Sequence, residues 1–307
     1  MPMRWLFFVL VPVLACVGGC RTEGTVEGMP GADAVSRVAQ RAQALAFARH
    51  RSSGITVPIP RARDGLELPP VVGSQDLSRP LIVIDPGHGG HDPGAITGEG
   101  GHGEKEVTLA LALALRDRLV RDGRLRVAMT RDGDRYLALQ ERYDLARRLG
   151  ADLFISLHAH AADNDGAQGA SIYTLSETAS DREAARLAVR ENRADLINGV
   201  DVGSQNSAVT SILIDLSQRE AMERSVEFAD LLYREAGRVI PFRQPYHRFA
   251  SLVVLKAPDI PSVLFEAGYL TSVQDAARLA SPQGRQAVAD GVATAVQIYF
   301  ARRAVSS

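Results

Sequence analysis

Cysteine is almost missing from this chain. Its 307 residues hold two, Cys16 and Cys20. Beyond residue 20 this excludes a disulfide framework, a thiolate nucleophile and a cysteine-ligated metal. Any metal there must be held by His, Asp or Glu. Charge of one sign is missing too. The formal net charge is -1, and no long Lys/Arg block offers nucleic acid an electrostatic footprint. The chain has no G-x-S-x-G nucleophile elbow and no P-loop. "GEGGHG", residues 98–103, satisfies a dinucleotide spacing, but it lies well past the nearest strand end, and Glu99 and Glu104 repel phosphate.

What is there begins with an apolar run. Arg4 precedes "WLFFVLVPVLACV", which is too short for a comfortable membrane span and ends in small residues. Residues 1–20 therefore read as an export signal. Its end, "VGGC", resembles the lipobox of bacterial lipoproteins, which implies lipidation of Cys20 and a membrane tether. Arg21 rather than Asp follows the cysteine, so the expected place is the periplasm, anchored at the outer membrane. Residues 21–78 read as a tether: one amphipathic helix at 33–50, then the Pro-rich linker "VPIPRARDGLELPP".

From Leu81 onward, apolar runs alternate with helical periods. Strands are expected at 81–85, 124–130, 152–158, 169–175, 251–256 and 261–268. Helices are expected at 104–120, 137–150, over much of 180–238, and from 283 to 300. Alternation of this kind implies βαβ units. The predicted fold is a single α/β domain, 79–303, with a central, roughly six-stranded mixed and mainly parallel sheet, flanked by helices on both faces. Sites in such sheets form beyond the carboxyl ends of strands.

Ionisable residues gather at those ends. "LIVIDPGHGGHDPGA", 81–95, carries His88 on a Gly/Pro loop after the first strand. His158 ends another strand, Glu266 a third, and Glu104 opens the helix returning from the first. Two imidazoles and a carboxylate with an open fourth position make a catalytic zinc arrangement, and a further carboxylate can act as general base. Asp85, just before Pro86, is placed to hold the loop or a ligand imidazole. His160, two residues past His158, faces the same side on extended backbone. It is a candidate outer contact of the site. His50, His91, His102 and His247 read as ordinary loop or surface residues.

Five motifs in order, "IDPGHGGHDPGA", "GEKEVTLALA", "TRDGDRYLALQER", "ADLFISLHAHA" and "IPSVLFEAGYLTS", resemble the zinc-dependent N-acetylmuramoyl-L-alanine amidases of the type-3 family. The resemblance implies one zinc ion held by His88, Glu104 and His158, with Glu266 as catalytic carboxylate. It implies cleavage of the bond between N-acetylmuramic acid and L-alanine of peptidoglycan, in wall remodelling or daughter-cell separation. Another zinc hydrolase on the same scaffold, a peptidase or deacetylase, and a non-catalytic wall-binding lipoprotein are the alternatives. Two positions depart from the family pattern: His160 stands where Asn is usual, and Ala267 where Thr is usual.

The predicted strands at 169–175 and 251–256 are separated by 75 residues, 176–250, far more than a crossover needs. Long insertions beside a site are often lids. In related division amidases a segment here covers the zinc until an activator protein lifts it. That resemblance implies an autoinhibitory role for Glu191, on the predicted helix "SDREAARLAVRENRADLI".

Overall fold

The computed structural model describes residues 67–96, 103–162, 166–196 and 208–305, without the side chains of 195–196 and 208–215. The expected helix at 33–50, the signal segment and His102 lie outside the described residues. Seven strands form one sheet: β1 (Val72–Gly73), β2 (Leu81–Pro86), β3 (Arg126–Met129), β4 (Leu153–His160), β5 (Ala170–Leu175), β6 (Phe242–Ala250) and β7 (Ser262–Tyr269), in the order β1-β3-β2-β4-β7-β5-β6. The pairs β2–β3, β2–β4, β4–β7 and β5–β6 are parallel, while β1–β3 and β5–β7 are antiparallel. The helices are α1 (Glu104–Val120), α2 (Leu139–Leu149), α3 (Arg182–Leu196), α4 (Ala208–Ala236), α5 (Val273–Ala280) and α6 (Pro282–Val305).

Alternate residues of the central strands feed two apolar layers, because side chains on a strand point to opposite faces. Ile82, Ile84, Ile155, Leu157, Val263 and Phe265 pack with Leu111, Leu115 and Leu119 of α1, Phe228 and Leu232 of α4, and Val292 and Val296 of α6. Val83, Phe154 and Leu264 pack on the other side with Leu139 and Ala146 of α2 and Ala184, Leu187 and Ala188 of α3. A fully buried Leu, Ile, Val or Phe stabilises by about 1.5–3 kcal/mol. The central strands, covered on both faces, therefore form the rigid frame of the molecule. Helix α1 carries Glu104 and Glu106 in its first turn and Arg118 in its last, complementing its dipole. Helix α2 closes at Gly150, whose N–H bonds the carbonyls of Ala146 and Arg147.

The structure differs from the sequence reading in two places. The sheet has seven strands, not six, because two residues of the expected linker, Val72 and Gly73, pair antiparallel with β3. The segment "SLVVLK", 251–256, is not a strand. Val253–Leu255 form a short 3-10 turn, and the strand is the preceding Phe242–Ala250. That strand pairs only with β5, at the sheet edge, and much of it faces solvent, so its polar sequence carries no apolar run.

Candidate functional site

The parallel strands β2, β4 and β7 end on one rim, and the candidate residues meet there. His158 and Glu266 are directly opposed in the β4–β7 register, so both side chains leave the same face. His88 follows β2 on the glycine-rich loop, with backbone φ of 61°, a left-handed conformation unusual for a side-chain-bearing residue. Gly87 shows why the loop is built so. A Cβ there would come within 2.5 Å of the His158 ring. Gly94, at φ 65°, has the same function on the other side, where a Cβ would meet His88 at 2.6 Å and Glu104 at 2.7 Å.

His88 Nε2 lies 3.1 Å from Glu104 Oε2, and His158 Nδ1 lies 3.1 Å from Glu104 Oε1. Glu104 thus reaches both imidazoles from the first turn of α1. Helix α3 brings Glu191 into the same space: its Oε2 is 3.6 Å from His88 Nε2 and 3.3 Å from His158 Nδ1. His88, His158 and Glu191 each offer one ligand atom within 4.8 Å of the others. A cavity of about 10 Å³, at the lower limit for a single water, lies beside them, lined also by Asp85, Asp92 and Arg142. A larger cavity of about 250 Å³, by Pro70, Val127 and Arg135 at the β3 edge, has no imidazole in its lining.

The electrostatics are those of a site built around a cation. Burial pulls the His88 imidazole down, but the Glu104 carboxylate and a hydrogen bond with Asp92 outweigh it and hold it well above the usual range. Burial pushes Glu104 up, yet His88 and His158 hold it well below the usual carboxylate range. Glu266 goes the other way. Burial raises it, and the carboxylates of Glu104 and Glu191 raise it further. Both Glu266 oxygens, and His88 Nε2, are buried without a hydrogen-bond partner. Buried polar atoms are rarely left so. Two imidazoles, an ionised carboxylate and these orphaned atoms fit a zinc-type ion.

Asp85 is fully buried and accepts from Thr130 Oγ1 at 2.6 Å, Ser156 Oγ at 2.8 Å and Arg142 at 3.0 Å. These partners hold Asp85 away from hydrogen bonding with the imidazoles. The residue that meets one is Asp92, 2.9 Å from His88 Nδ1. Sequence reasoning passed over it; its spacing, four residues after His88 in the same loop, was the available signal. Arg142 and Arg131 grip the loop itself. Arg142 donates to the carbonyls of Pro86 and His88, and Arg131 to those of Pro86, Gly87 and Lys105. His160 ends β4 with its ring edge-on to Tyr269 at 5.6 Å and the Arg190 guanidinium against both of its nitrogens. His91 packs on Tyr136, and His247 bonds Thr174 Oγ1 at 2.9 Å.

Known proteins resemble this chain over most of its length. The type-3 amidase family, described as N-acetylmuramoyl-L-alanine amidase, matches residues 82–298. The chain is 36% identical to the N-acetylmuramoyl-L-alanine amidase AmiA of Salmonella typhimurium, over 73% of this chain and 77% of that one. It is 34% identical to AmiC of Escherichia coli, over 79% of this chain, but spans only 57% of that relative's length. Among solved structures, the amidase AmiC2 of Nostoc punctiforme superposes with a TM-score of 0.51 at 26% identity, covering 73% of this chain and 98% of that one. The catalytic domain of CwlV from Paenibacillus polymyxa shares the fold, with a TM-score of 0.53 at 24% identity over 72% and 98%. A match across more than two hundred residues, from β2 into α6, makes this chain a member of the N-acetylmuramoyl-L-alanine amidase family.

Proposed function

We propose that the chain is an exported zinc amidase that hydrolyses the amide between N-acetylmuramic acid and L-alanine in peptidoglycan, and that Glu191 holds it inactive. The observation that carries this is the convergence of His88, Glu104, His158 and Glu266 on one rim. His88, Glu104 and His158 would hold the metal, and Glu191, which reaches both imidazoles, would compete with substrate and water for it. When bound, zinc supplies Lewis acidity for the scissile carbonyl and lowers the pKa of water toward about 7. The chain's own groups do the rest. Asp92 engages His88 Nδ1, leaving Nε2 to face inward. The Glu266 carboxylate takes a proton from the attacking water and passes it to the leaving amine of alanine, help typically worth about 10²–10⁴-fold. Withdrawal of Glu191 removes one of the negative charges that raise Glu266, bringing its pKa toward the range a base needs. An activator protein acting on the 176–250 insertion is the proposed means of withdrawal.

One set of variants tests the assignment. His88→Ala and His158→Ala lose bound zinc and activity together, whereas Glu266→Ala keeps zinc and loses activity. Glu191→Ala raises the low basal activity of the purified chain without a partner. Metal analysis beside a digest of purified cell wall reads all three. The expected products are glycan strands without peptide and free peptides beginning with L-alanine. Cleavage inside the peptide, release of acetate, or binding without products would each replace this reading by another. A wild type already fully active, and unchanged by Glu191→Ala, would remove the autoinhibitory role. The chain reaches the wall through the export signal at 1–20 and a lipid on Cys20 that anchors it to the outer membrane. Among the described residues no helix is long and apolar enough to cross a membrane.

A further inference from the structure

We propose that the chain carries a second divalent-cation site, formed by His160, Glu191 and Glu266, whose occupant staples α3 to the sheet. One nitrogen or oxygen of each residue lies within 4.8 Å of the other two, and all three residues are buried. They come from three elements: His160 from β4, Glu266 from β7 and Glu191 from α3. Both Glu266 oxygens are buried without a hydrogen-bond partner, so a carboxylate already out of water has lone pairs to give. Glu191 joins the two clusters. Its Oε2 faces His88 and His158, and its Oε1 faces Arg190.

One imidazole and two carboxylates suit zinc and the neighbouring first-row divalent ions. Bonds of about 2 Å hold ligand atoms within about 4 Å of one another, so a cation draws these three slightly inward. A positive charge is already at this place. The Arg190 guanidinium lies against His160 and donates to Glu191 Oε1 at 3.0 Å. Its side chain is 41% exposed, so it can swing into water when a cation takes the His160 lone pair. His160 supplies the one imidazole of the group, and an Asn amide in its place would be a poor zinc ligand. An ion in it ties the plug to two strands and occupies the proposed base, so zinc in excess is inhibitory.

The inference rests on the zinc reading above, and counting bound metal separates the two. The full chain is stripped with a chelator and titrated with zinc chloride by calorimetry. Wild type takes up two equivalents, the second more weakly, and wall hydrolysis falls as the second fills. In His160→Asn the second equivalent weakens by about 10-fold or more while the first stays. In Arg190→Gln it tightens, because its competitor is gone. A single equivalent in wild type overturns the second site and leaves the first. No equivalent overturns both. Two equivalents indifferent to both substitutions put the second ion elsewhere and overturn the proposal. If His160→Asn fails to fold, an unchanged second affinity in Arg190→Gln overturns it alone.

Discussion

Asp85 and Asp92 stand on either side of His88 in the sequence and take different partners: Asp85, in β2, accepts from Thr130, Ser156 and Arg142, whereas Asp92 meets the His88 ring. A carboxylate before Pro86 is conspicuous, but β2 buries Asp85 between Thr130, Ser156 and Arg142, one layer below the histidines. Which aspartate reaches His88 depended on how the loop turns back, and glycine-rich backbone leaves that open in a sequence. Burial raises Asp85, but Arg142 and the two hydroxyls outweigh it and leave its pKa below the usual value. A depressed native pKa means the stabilisation is present above an unfolded pKa of about 3.9 and is lost as pH falls through the native value. Asp85→Asn leaves Arg142 facing a neutral partner in the interior. Stability at pH 7 should drop by about 3–5 kcal/mol, with the gap to wild type closing on acidification. Urea unfolding at a series of pH values measures both. A gap independent of pH would show that the ion pair contributes nothing.

At the scale of elements, helix α3 owes its place to polar clasps as well as to Ala184 and Leu187. Glu183 accepts from Arg243 and from the Tyr269 hydroxyl at 2.7 Å each. Asn192 donates to the Ser251 carbonyl at 2.8 Å and accepts from the Val253 N–H at 3.0 Å. The Tyr136 hydroxyl holds the Ala194 carbonyl. A helix held by clasps that water can replace is suited to opening without the domain unfolding. Asn192→Ala removes two hydrogen bonds, each worth about 0.5–1.5 kcal/mol. Amide exchange in α3 should speed up by a corresponding factor while α6 stays protected; equal change in both helices would mean that α3 opens only with the whole fold. The polar clasps also explain what the sequence made visible. Helices α1, α2 and α6 announced themselves by buried apolar periods. The edge strand β6 did not, because "FRQPYHRFA" pairs on one side only, and the apolar "LVVL" after it was read as the strand instead. Residues 253–255 are apolar because they cover α2 and α3, not because they extend.

For the whole molecule, the sequence was most informative where both faces of a strand are buried. The runs at β2, β4 and β7 fixed the frame, and the histidines and Glu266 at their ends followed from it. The two-residue β1 was invisible, since a pair of hydrogen-bonded residues leaves no pattern. Location is the property least tied to the sheet, and Cys20 alone tests it. Fractionation of cells should find wild type with outer membranes and Cys20→Ser free in the periplasm. Equal membrane partition of the two would remove the lipid anchor.

The β4–β7 pairing that sets His158 opposite Glu266 also makes the chemistry sensitive to parity. Facing residues of a strand change sides with every single step. One residue inserted between Ser262 and Glu266, with the strand still anchored at Ser262, would keep every motif residue in the chain. It would nevertheless turn Glu266 into the layer of Leu157 and Phe228, and present an apolar side chain to the rim. Two inserted residues would restore the side and displace the carboxylate by about 7 Å along the strand. Purified chains with one or two added residues should therefore both be inactive on wall, but only the first should also lose much of its thermal stability.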